Sequence, residues 1–320
     1  MTMAHIYRMY VSYLSGIFDF TGMQMVLTMK LTSFAYNYFD GTYDRKRVFG
    51  EHSDPKAAKM YADRKRFAIT SLPNPLEFYG YVYCFTCLLA GPAFEYSDYA
   101  SAIDGSAFKK CNLDSDPVVS DRPSSLSSSL SSFLTGVASM IIYLNMSVYF
   151  QMKNFCNPVF IATYSMAYRM GYTWLTITFE RCKYYFCWKV AEASSILAGF
   201  GFEGWTTDGK PKGWGGVRNV DILIFETAPN MQLVSRSWNK RTQGWLERYT
   251  YRRTGNSLLA TYFISALWHG LYPGFFIFFM SLPLFSLIER LSRLKINPLV
   301  IPGYNGHFTK VLFLMFDLEI

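Results

Sequence analysis

Long stretches without a charged residue divide the chain into apolar and polar segments. Residues 133–152 carry no charge, and no Asp, Glu, Lys or Arg occurs in 254–288. An uncharged run of about 18 residues is long enough to cross a bilayer as a helix. Pro273 and Gly274 interrupt the second run, which predicts two helices with a break between them there. Because backbone polar groups in lipid must bond to one another, these segments are predicted to be helical.

Four further segments are mostly apolar but shorter, or interrupted by charge. Residues 9–39 enclose Asp19 and Lys30, and they predict one kinked span or two short ones. A short span or re-entrant segment and two further crossings are predicted over 78–94, 159–179 and 184–200. The pattern as a whole predicts an all-α fold, a polytopic transmembrane helical bundle with roughly 6–8 membrane segments. A single membrane domain is expected to cover residues 1–320.

Three polar segments lie between these runs. Residues 44–66 are predicted to form a charged, basic loop. Residues 113–132 (LDSDPVVSDRPSSLSSSLSS) have the low complexity of a disordered, serine-rich linker. Residues 201–253 form a long polar connection rich in Trp, Gly and Arg, and several of the motifs considered below lie within it.

The positive charge of the chain is concentrated in two places. The formal net charge is +8, and Lys and Arg outnumber the acids by eight to four in 44–66 and by nine to five in 203–253. Such loops tend to face the cytoplasm. A soluble nucleic-acid-binding domain would also be basic, but it would not carry such apolar runs, and no nucleic-acid-binding motif is present. The charge therefore predicts a membrane protein with no nucleic-acid partner.

The six cysteines are scattered and imply no disulfide framework. Cys84 and Cys87 have C-x-x-C spacing within FYGYVYCFTCLLAG, without a second cysteine pair or a nearby histidine. A packing role is therefore favoured over a redox or metal role, and no metal site is predicted.

His269 lies inside the uncharged run 254–288, whereas His5, His52 and His307 lie in polar or terminal segments. An ionisable group within a membrane segment commonly marks a functional site. Histidine titrates near neutral pH, so it is suited to proton transfer. The alternative is a structural histidine bonded to a helix carbonyl. His269 is the candidate catalytic base.

Residues 237–253 (SWNKRTQGWLERYTYRR) have helical spacing. Trp238, Thr242, Trp245 and Tyr249 would share one face of such a helix. The alternative is an amphipathic helix at the membrane interface, with its aromatic residues toward the lipid and its basic residues toward the headgroups.

Residues 184–205 (YYFCWKVAEASSILAGFGFEGW) contain many small residues, which allow helices to approach closely. Glu192 is unusual in this segment. It is expected either to pair with Lys189, three residues away, or to face a cavity.

These three stretches, in this order, resemble the membrane-bound O-acyltransferase (MBOAT) family, and within it the lysophospholipid acyltransferase branch of broad-specificity fungal type. WHG at 268–270 with YPG at 272–274 resembles the histidine motif of the family. WN at 238–239 with the following WLERYTYRR resembles its asparagine motif. AEASSILAGFGFEG resembles a third block, and 19–41 and 76–99 also resemble that branch.

The resemblance implies transfer of an acyl chain from acyl-CoA, as co-substrate, to the free hydroxyl of a lysophospholipid in the endoplasmic reticulum membrane. It implies His269 as general base. Asn239, or a backbone N–H near Pro273–Gly274, would donate to the developing oxyanion, and the alternative role of Asn239 is to orient the imidazole or an ester group. No bound cofactor is implied. Basic residues that could attract the coenzyme phosphates are Lys240, Arg241, Arg248, Arg252 and Arg253. The alternative, favoured for any one of them, is the ordinary positive charge of a cytoplasmic loop. Residues expected to contact substrate are Trp238, Trp245, Tyr249, Trp268, Tyr272, Glu192 and Arg252.

Two alternatives stay open. One is O-acylation of a sterol, a diacylglycerol or a protein; the other is a non-catalytic membrane protein built on the same bundle. Family members usually have further spans before the region matching Asp19 and after the histidine motif. A chain shortened at both ends is therefore a further expectation, and the sequence makes no prediction of oligomeric state.

Overall fold

The protein is described by a computed structural model over residues 1–11, 13, 20–109 and 122–295. Within these residues the regular structure is helical, and an isolated β-bridge joins Trp205 and Pro211. The α-helices are α1 (Thr2–Val11), α2 (Thr21–Gly41), α3 (Arg45–Val48), α4 (Pro55–Phe67), α5 (Pro75–Val82), α6 (Tyr96–Ile103), α7 (Leu126–Met146), α8 (Pro158–Thr163), α9 (Met166–Ala198), α10 (Ile222–Glu226), α11 (Met231–Ser237), α12 (Lys240–Leu246), α13 (Leu258–His269) and α14 (Pro273–Lys295). A π turn covers Glu247–Tyr251, and 3₁₀ turns cover Ser106–Phe108, Met152–Cys156, Gly215–Val217 and Arg252–Thr254.

The predicted all-α class is confirmed. Among the described residues, two helical stretches are long and apolar enough to cross a bilayer, Leu126–Met146 and Pro273–Ser292. A shorter apolar helix, α13, precedes the second of them. The number of 6–8 membrane segments stays a prediction, since length and composition single out only these two within the described part of the chain.

Helix α2 contacts α1, α3, α4, α5 and α12. Its buried positions include polar as well as apolar residues, among them Lys30 and Asn37. The Lys30 ammonium donates to the main-chain oxygen of Tyr81 at 2.7 Å. Tyr81 lies near the end of α5, whose eight residues extend about 12 Å and are too few to cross a bilayer. Residues 78–94 therefore do not form a single spanning helix, and the chain continues from α5 through turns.

The predicted disordered linker over 113–132 is wrong where the structure describes it. Residues 113–121 lie outside the described residues, but α7 begins at Leu126. Ser129 Oγ donates to the main-chain oxygen of Ala193 at 2.8 Å, on the neighbouring helix α9. Small serines let the two helices approach closely, and a hydrogen bond across the interface satisfies the hydroxyl. The serine run is therefore a helix-packing surface.

Helix α9 replaces two predicted crossings. The sequence predicts separate segments over 159–179 and 184–200, whereas α9 runs unbroken for 33 residues through most of both, and α8 covers the start of the first. Such a helix is about 50 Å long, well beyond the hydrocarbon thickness of about 30 Å. The charged residues between the two predicted segments do not end the helix, because they find partners. Arg181, for example, donates to Glu226 at 2.8 Å.

The predicted basic loop over 44–66 is also wrong in its local structure, because α3 and α4 occupy much of it. Arg64 of α4 bonds to Asp40 near the end of α2 and to Asp44 just beyond it. These pairs fix α4 against α2, and they explain why a segment with so much charge is helical rather than irregular.

The predicted break near Pro273 is confirmed. Helix α13 ends at His269 and α14 begins at Pro273. Proline is well suited to the first turn of a helix because its missing N–H has no helical acceptor there. Gly270 has φ of 141°, a backbone conformation that residues with a side chain rarely adopt. The sequence Gly-Leu-Tyr-Pro thus joins two helices by a short turn directly after His269.

Candidate functional site

Two tryptophans attach the histidine and asparagine motifs to the same helix. Trp268 Nε1 donates to the main-chain oxygen of Met25 at 3.2 Å, and Trp245 Nε1 donates to Thr32 Oγ1 at 3.1 Å. Met25 and Thr32 are two helical turns apart on α2, about 10 Å. Both tryptophans belong to one buried cluster with residues of α2 and with Tyr249. The two motifs are therefore positioned by a common support.

The His269 ring is held by one nitrogen. Nδ1 lies 2.8 Å from the main-chain oxygen of Ser265, and because a carbonyl oxygen only accepts, Nδ1 carries the proton. In the neutral imidazole, Nε2 then keeps its lone pair. No hydrogen bond engages Nε2 among the residues described, and His269 as a whole residue is partly buried. A structural histidine would make the same bond to a helix carbonyl. In His269 this bond uses only Nδ1, so Nε2 is still able to accept a proton.

Aromatic rings surround this imidazole. The centroid of Trp268 lies 4.7 Å away, that of Phe279 4.5 Å and that of Phe275 5.7 Å. Tyr272 lies in the turn beyond His269, with its ring 6.0 Å from Phe275. The histidine is thus set in an apolar wall, where the neutral form that acts as a base is favoured.

His5 lies near the chain terminus in the sequence, yet it is buried against the histidine motif. Its Nε2 lies 3.1 Å from the main-chain oxygen of Trp268, to which it donates. A Cβ atom at Gly270 would lie 3.4 Å from His5 Nδ1. This contact occupies a carbonyl in the last turn of α13, where helical partners run out. Nothing in the local sequence of α1 indicates the contact.

Asn239 has a left-handed backbone, with φ of 43° and ψ of 50°, between α11 and α12. Asparagine adopts this conformation more readily than most residues. Its side chain does not cap α12. Asn219 fulfils that role: its main-chain oxygen accepts from Lys240 N at 2.8 Å, and its Oδ1 accepts from Arg241 N at 3.2 Å. The Asn239 amide is therefore left available for another partner.

The prediction that Trp238, Thr242, Trp245 and Tyr249 share one helix face is only partly confirmed. Thr242, Trp245 and Tyr249 are buried together, as the spacing indicates. Trp238 is not on that face, because the left-handed turn at Asn239 separates it from α12. Its ring packs instead 4.8 Å from Trp188 of α9. The interfacial alternative does not hold for Trp245 and Tyr249, which pack against protein rather than lipid.

Tyr249 belongs to a polar network whose partners are too far apart in the chain to be indicated by local sequence. Its hydroxyl lies 2.8 Å from both Asn37 Oδ1 and Glu95 Oε2. Asn37 Nδ2 donates to Glu95 Oε2 at 2.9 Å, and Arg248 Nη2 donates to Glu95 Oε1 at 2.8 Å. Burial and the neighbouring Glu95 carboxylate raise the pKa of Tyr249 above its ordinary value. The tyrosine therefore stays protonated and acts as a donor in this network.

Glu192 pairs with Lys189, which is one of the two outcomes that the sequence predicts for it; the other is a position facing a cavity. Lys189 Nζ lies 3.0 Å from Glu192 Oε2, and Ser132 Oγ donates to Oε1 at 2.9 Å. This pair stabilises the contact between α7 and α9. A substrate contact by Glu192 stays a prediction, as it does for Trp238, Trp268 and Tyr272.

Arg252 lies in a separate place, on the wall of a cavity of about 420 Å³ between α2, α4 and residues 248–253. It bonds to Asp63 and Glu247. Neither His269 nor Asn239 lines this cavity. Nor does a hydrogen bond within the described residues join His269 to Asn239, so their action at one site stays a prediction.

The sequence of the chain matches the family model of the membrane-bound O-acyltransferase family over residues 6–303. It is 32% identical over 289 residues to a lysophospholipid acyltransferase of Schizosaccharomyces pombe, covering 88% of this chain and 53% of the relative. It is 32% identical over 298 residues to lysophospholipid acyltransferase 1 of Arabidopsis thaliana, covering 87% and 60%. It is 29% identical over 301 residues to membrane-bound glycerophospholipid O-acyltransferase 1 of mouse, covering 92% and 58%.

The chain thus spans a little over half the length of these curated relatives. The family model covers almost all of the chain, including the histidine and asparagine motifs that α2 brings to one support. On this match the chain belongs to the membrane-bound O-acyltransferase family.

Proposed function

We propose that the protein transfers a fatty acyl chain from acyl-CoA to the free hydroxyl of a lysophospholipid, with His269 as general base. The bond between His269 Nδ1 and Ser265 carries this proposal, because it fixes the tautomer in which Nε2 accepts a proton. The names of the fungal and plant relatives support the choice of reaction and acceptor.

The reaction needs a base because a lipid hydroxyl is a poor nucleophile. As the hydroxyl oxygen bonds to the thioester carbon, its proton passes to His269 Nε2. The carbon–sulfur bond then breaks, and the coenzyme A thiolate leaves and can take up that proton. A stable leaving group makes a covalent acyl-enzyme unnecessary. The apolar wall around His269 limits water, which would otherwise compete for the thioester.

Asn239 is the proposed donor to the carbonyl oxygen as negative charge develops there. The support is indirect: Asn219 satisfies the first turn of α12, so the Asn239 amide is not needed as a helix cap. An orienting contact with the imidazole is the other possible role.

The two substrates call for a site at a membrane surface. Lysophospholipid is a membrane lipid, whereas coenzyme A is anionic and soluble in the cytosol. The basic segments 44–66 and 203–253 are predicted to face the cytoplasm, where they would meet coenzyme A. A multi-pass arrangement in the endoplasmic reticulum membrane fits this proposal. Lys240 is paired with Asp221 at 2.6 Å, and Arg248 is likewise paired with Glu95 at 2.8 Å.

The test is acyl transfer from oleoyl-CoA to a panel of lysophospholipids in microsomes, with His269→Ala compared to wild type at matched expression. Loss of the base should lower kcat by about 10²- to 10⁴-fold. His52→Ala is the matched control, since His52 lies at the surface with its ring stacked on Tyr61. Its activity should match that of wild type.

Analysis of the acylated products separates the alternatives. If the acylated product is a sterol, a diacylglycerol or a protein, the proposed acceptor is wrong, but the proposed role of His269 as base still stands. Equal transfer by wild type and His269→Ala would refute His269 as base. Folded wild-type protein without any transfer would identify a non-catalytic relative.

A further inference from the structure

Arg241 carries a charge that has no counter-ion in the described part of the chain. Its main-chain N–H is fixed by Asn219 Oδ1 at 3.2 Å, whereas its guanidinium makes no ion pair with a described residue. The Nε atom is buried and has no hydrogen-bond acceptor among those residues. Burial lowers the pKa of Arg241, because the charge is kept from water. A poorly solvated cation without a counter-ion is costly, so an anionic ligand is expected beside it.

The charged neighbours of Arg241 have other partners. Four charged side chains act on its pKa: those of Asp98, Arg248, Glu95 and Glu192. Arg248 bonds to Glu95 at 2.8 Å. Glu192 pairs with Lys189 at 3.0 Å. Of these four groups, only the Asp98 carboxyl is without a close, buried partner.

Asp98 lies in a recess of the protein. Its Oδ1 is 3.5 Å from Arg66 Nη2, and the two side chains are 40% and 70% exposed. An exposed pair of this kind contributes little to stability. Burial nevertheless raises the pKa of Asp98 above its ordinary value. A carboxyl that is accessible and yet poorly solvated is surrounded by protein rather than set on an open surface, so a cationic ligand can replace its weak partner.

Arg241 and Asp98 are near each other without touching. Each charge shifts the pKa of the other, which requires a short separation because the interaction weakens with distance. Within the described residues, however, no hydrogen bond or ion pair joins the two side chains. A ligand that carries an anion and a cation a few bonds apart would satisfy both groups at once.

The proposed acceptor has an anion in the required place. In a lysophospholipid with a free 2-hydroxyl, the reacting hydroxyl and the phosphodiester are on neighbouring carbons of the glycerol. A hydroxyl at the proposed catalytic residues therefore brings its phosphate close to them. Arg241 is two residues beyond Asn239, on the first turn of α12. The guanidinium is well suited to a phosphate, which accepts several of its hydrogen bonds.

We infer that Arg241 and Asp98 bind a phosphoethanolamine headgroup, the guanidinium at the phosphodiester and the carboxylate at the ammonium. The inference rests on the proposed function and names the acceptor among lysophospholipids. The phosphate and the ammonium of this headgroup are separated by two carbons, so they reach two groups that are near each other. A primary ammonium donates hydrogen bonds to a carboxylate, whereas a choline headgroup has no N–H to donate. A glycerol headgroup has no cation for Asp98.

The first experiment tests Arg241 by the KM values of both substrates. Arg241→Gln should raise the KM for lysophosphatidylethanolamine about tenfold, the effect of one lost charge-assisted hydrogen bond. The KM for oleoyl-CoA should stay that of wild type. Arg241→Lys keeps the charge and should restore part of the affinity. Lys210→Gln, at an exposed position of the same polar connection, is the control and should leave both KM values unchanged.

The second experiment tests Asp98 by the preference between two acceptors. The preference is the ratio of kcat/KM for lysophosphatidylethanolamine to that for lysophosphatidylglycerol, which has the same phosphodiester and no ammonium. Asp98→Asn should lose most of this preference. Arg66→Gln is the matched variant, because it removes the same ion pair and keeps the carboxylate. It frees Asp98 for the ammonium, so the preference should rise severalfold, a gain that a misfolded protein would not have.

Three kinetic results would overturn the inference. If Arg241→Gln changes the KM for oleoyl-CoA instead, the guanidinium binds a phosphate of the coenzyme. If wild type uses the two acceptors equally well, the headgroup ammonium is not recognised. If Asp98→Asn and Arg66→Gln keep the preference of wild type, Asp98 does not select the headgroup.

A binding measurement separates this inference from the proposed function. Calorimetry of hexanoyl-lysophosphatidylethanolamine with the detergent-solubilised full chain requires no acyl transfer. Binding that weakens in Arg241→Gln and Asp98→Asn, and strengthens in Arg66→Gln, would support the headgroup site even in a protein without transferase activity. Binding that is the same in all four proteins, or absent from folded wild type, would refute it.

Discussion

The indole nitrogen of Trp268 lies 3.2 Å from the main-chain oxygen of Met25, so the residue before the proposed base is attached to α2. The same helix accepts a hydrogen bond from Trp245 of the asparagine motif through Thr32. Because a helix is rigid over two turns, the two bonds hold Trp268 and Trp245 at a fixed separation. Joint action of His269 and Asn239 stays a prediction, and it would depend on this common support.

Trp268→Phe removes the bond to Met25 but keeps most of the ring packing. It should lower the free energy of unfolding by about 1 kcal/mol. It should also lower kcat more than it changes KM, because the imidazole next to it loses a fixed position. Thermal unfolding in detergent and steady-state kinetics measure the two effects. Trp174→Phe, at an exposed position of α9, is the control; equal effects of the two changes would contradict this role for Trp268.

His5 is predicted to act as a positioning residue for His269. His5→Ala removes the donor to the Trp268 carbonyl and leaves that oxygen in a buried place, so kcat should fall severalfold with little change in either KM. His5→Gln retains an N–H donor and should restore part of the activity. Steady-state kinetics of both variants test this. Identical kinetics for the Ala and Gln variants would show that the hydrogen bond is unimportant.

Two substitutions at Asn239 separate its backbone from its side chain. Asn239→Ala places a residue with a Cβ atom and no polar group at φ of 43°, which should cost about 1 kcal/mol of stability. Asn239→Gly accepts that conformation and should fold as well as wild type. Both should lose transfer activity if the amide contacts the reacting carbonyl. Thermal unfolding and kcat are the measurements, and an active, stable Gly variant would limit Asn239 to a conformational role.

Glu95 is predicted to hold the segment that follows Asn239. Glu95→Gln removes the carboxylate that faces Arg248 and accepts from Asn37, in a buried place. Arg248 is partly buried, and a cation that loses its partner there is costly, so the change should destabilise the protein by about 2 kcal/mol. Thermal unfolding measures this. Glu51→Gln, at an exposed position, should have no effect; a Glu95 variant as stable as this control would argue against the network.

Several features follow from local sequence. Pro273 interrupts the uncharged run because its ring cannot continue the preceding helix, and in the structure α13 ends at His269 and α14 begins at Pro273. Lys189 and Glu192 pair because residues three apart share a helix face, and they form an ion pair. The family motifs around Trp238 and Trp268 could likewise be read directly from the residues. In each case a few neighbouring residues carry all the information that the prediction needs.

Other features depend on partners far away in the chain. His5 contacts a residue 263 positions away, and Tyr249 reaches Glu95 across 154 positions. The serine run before Phe133 is helical because α9 is beside it, although its composition alone is typical of a linker. Trp238 turns away from Trp245 because Asn239 adopts a left-handed conformation. The sequence by itself thus determined the helical class, the family and the identity of the candidate base. The tertiary structure decided which buried groups surround it, since long-range contacts, rather than spacing, provide partners for buried polar atoms.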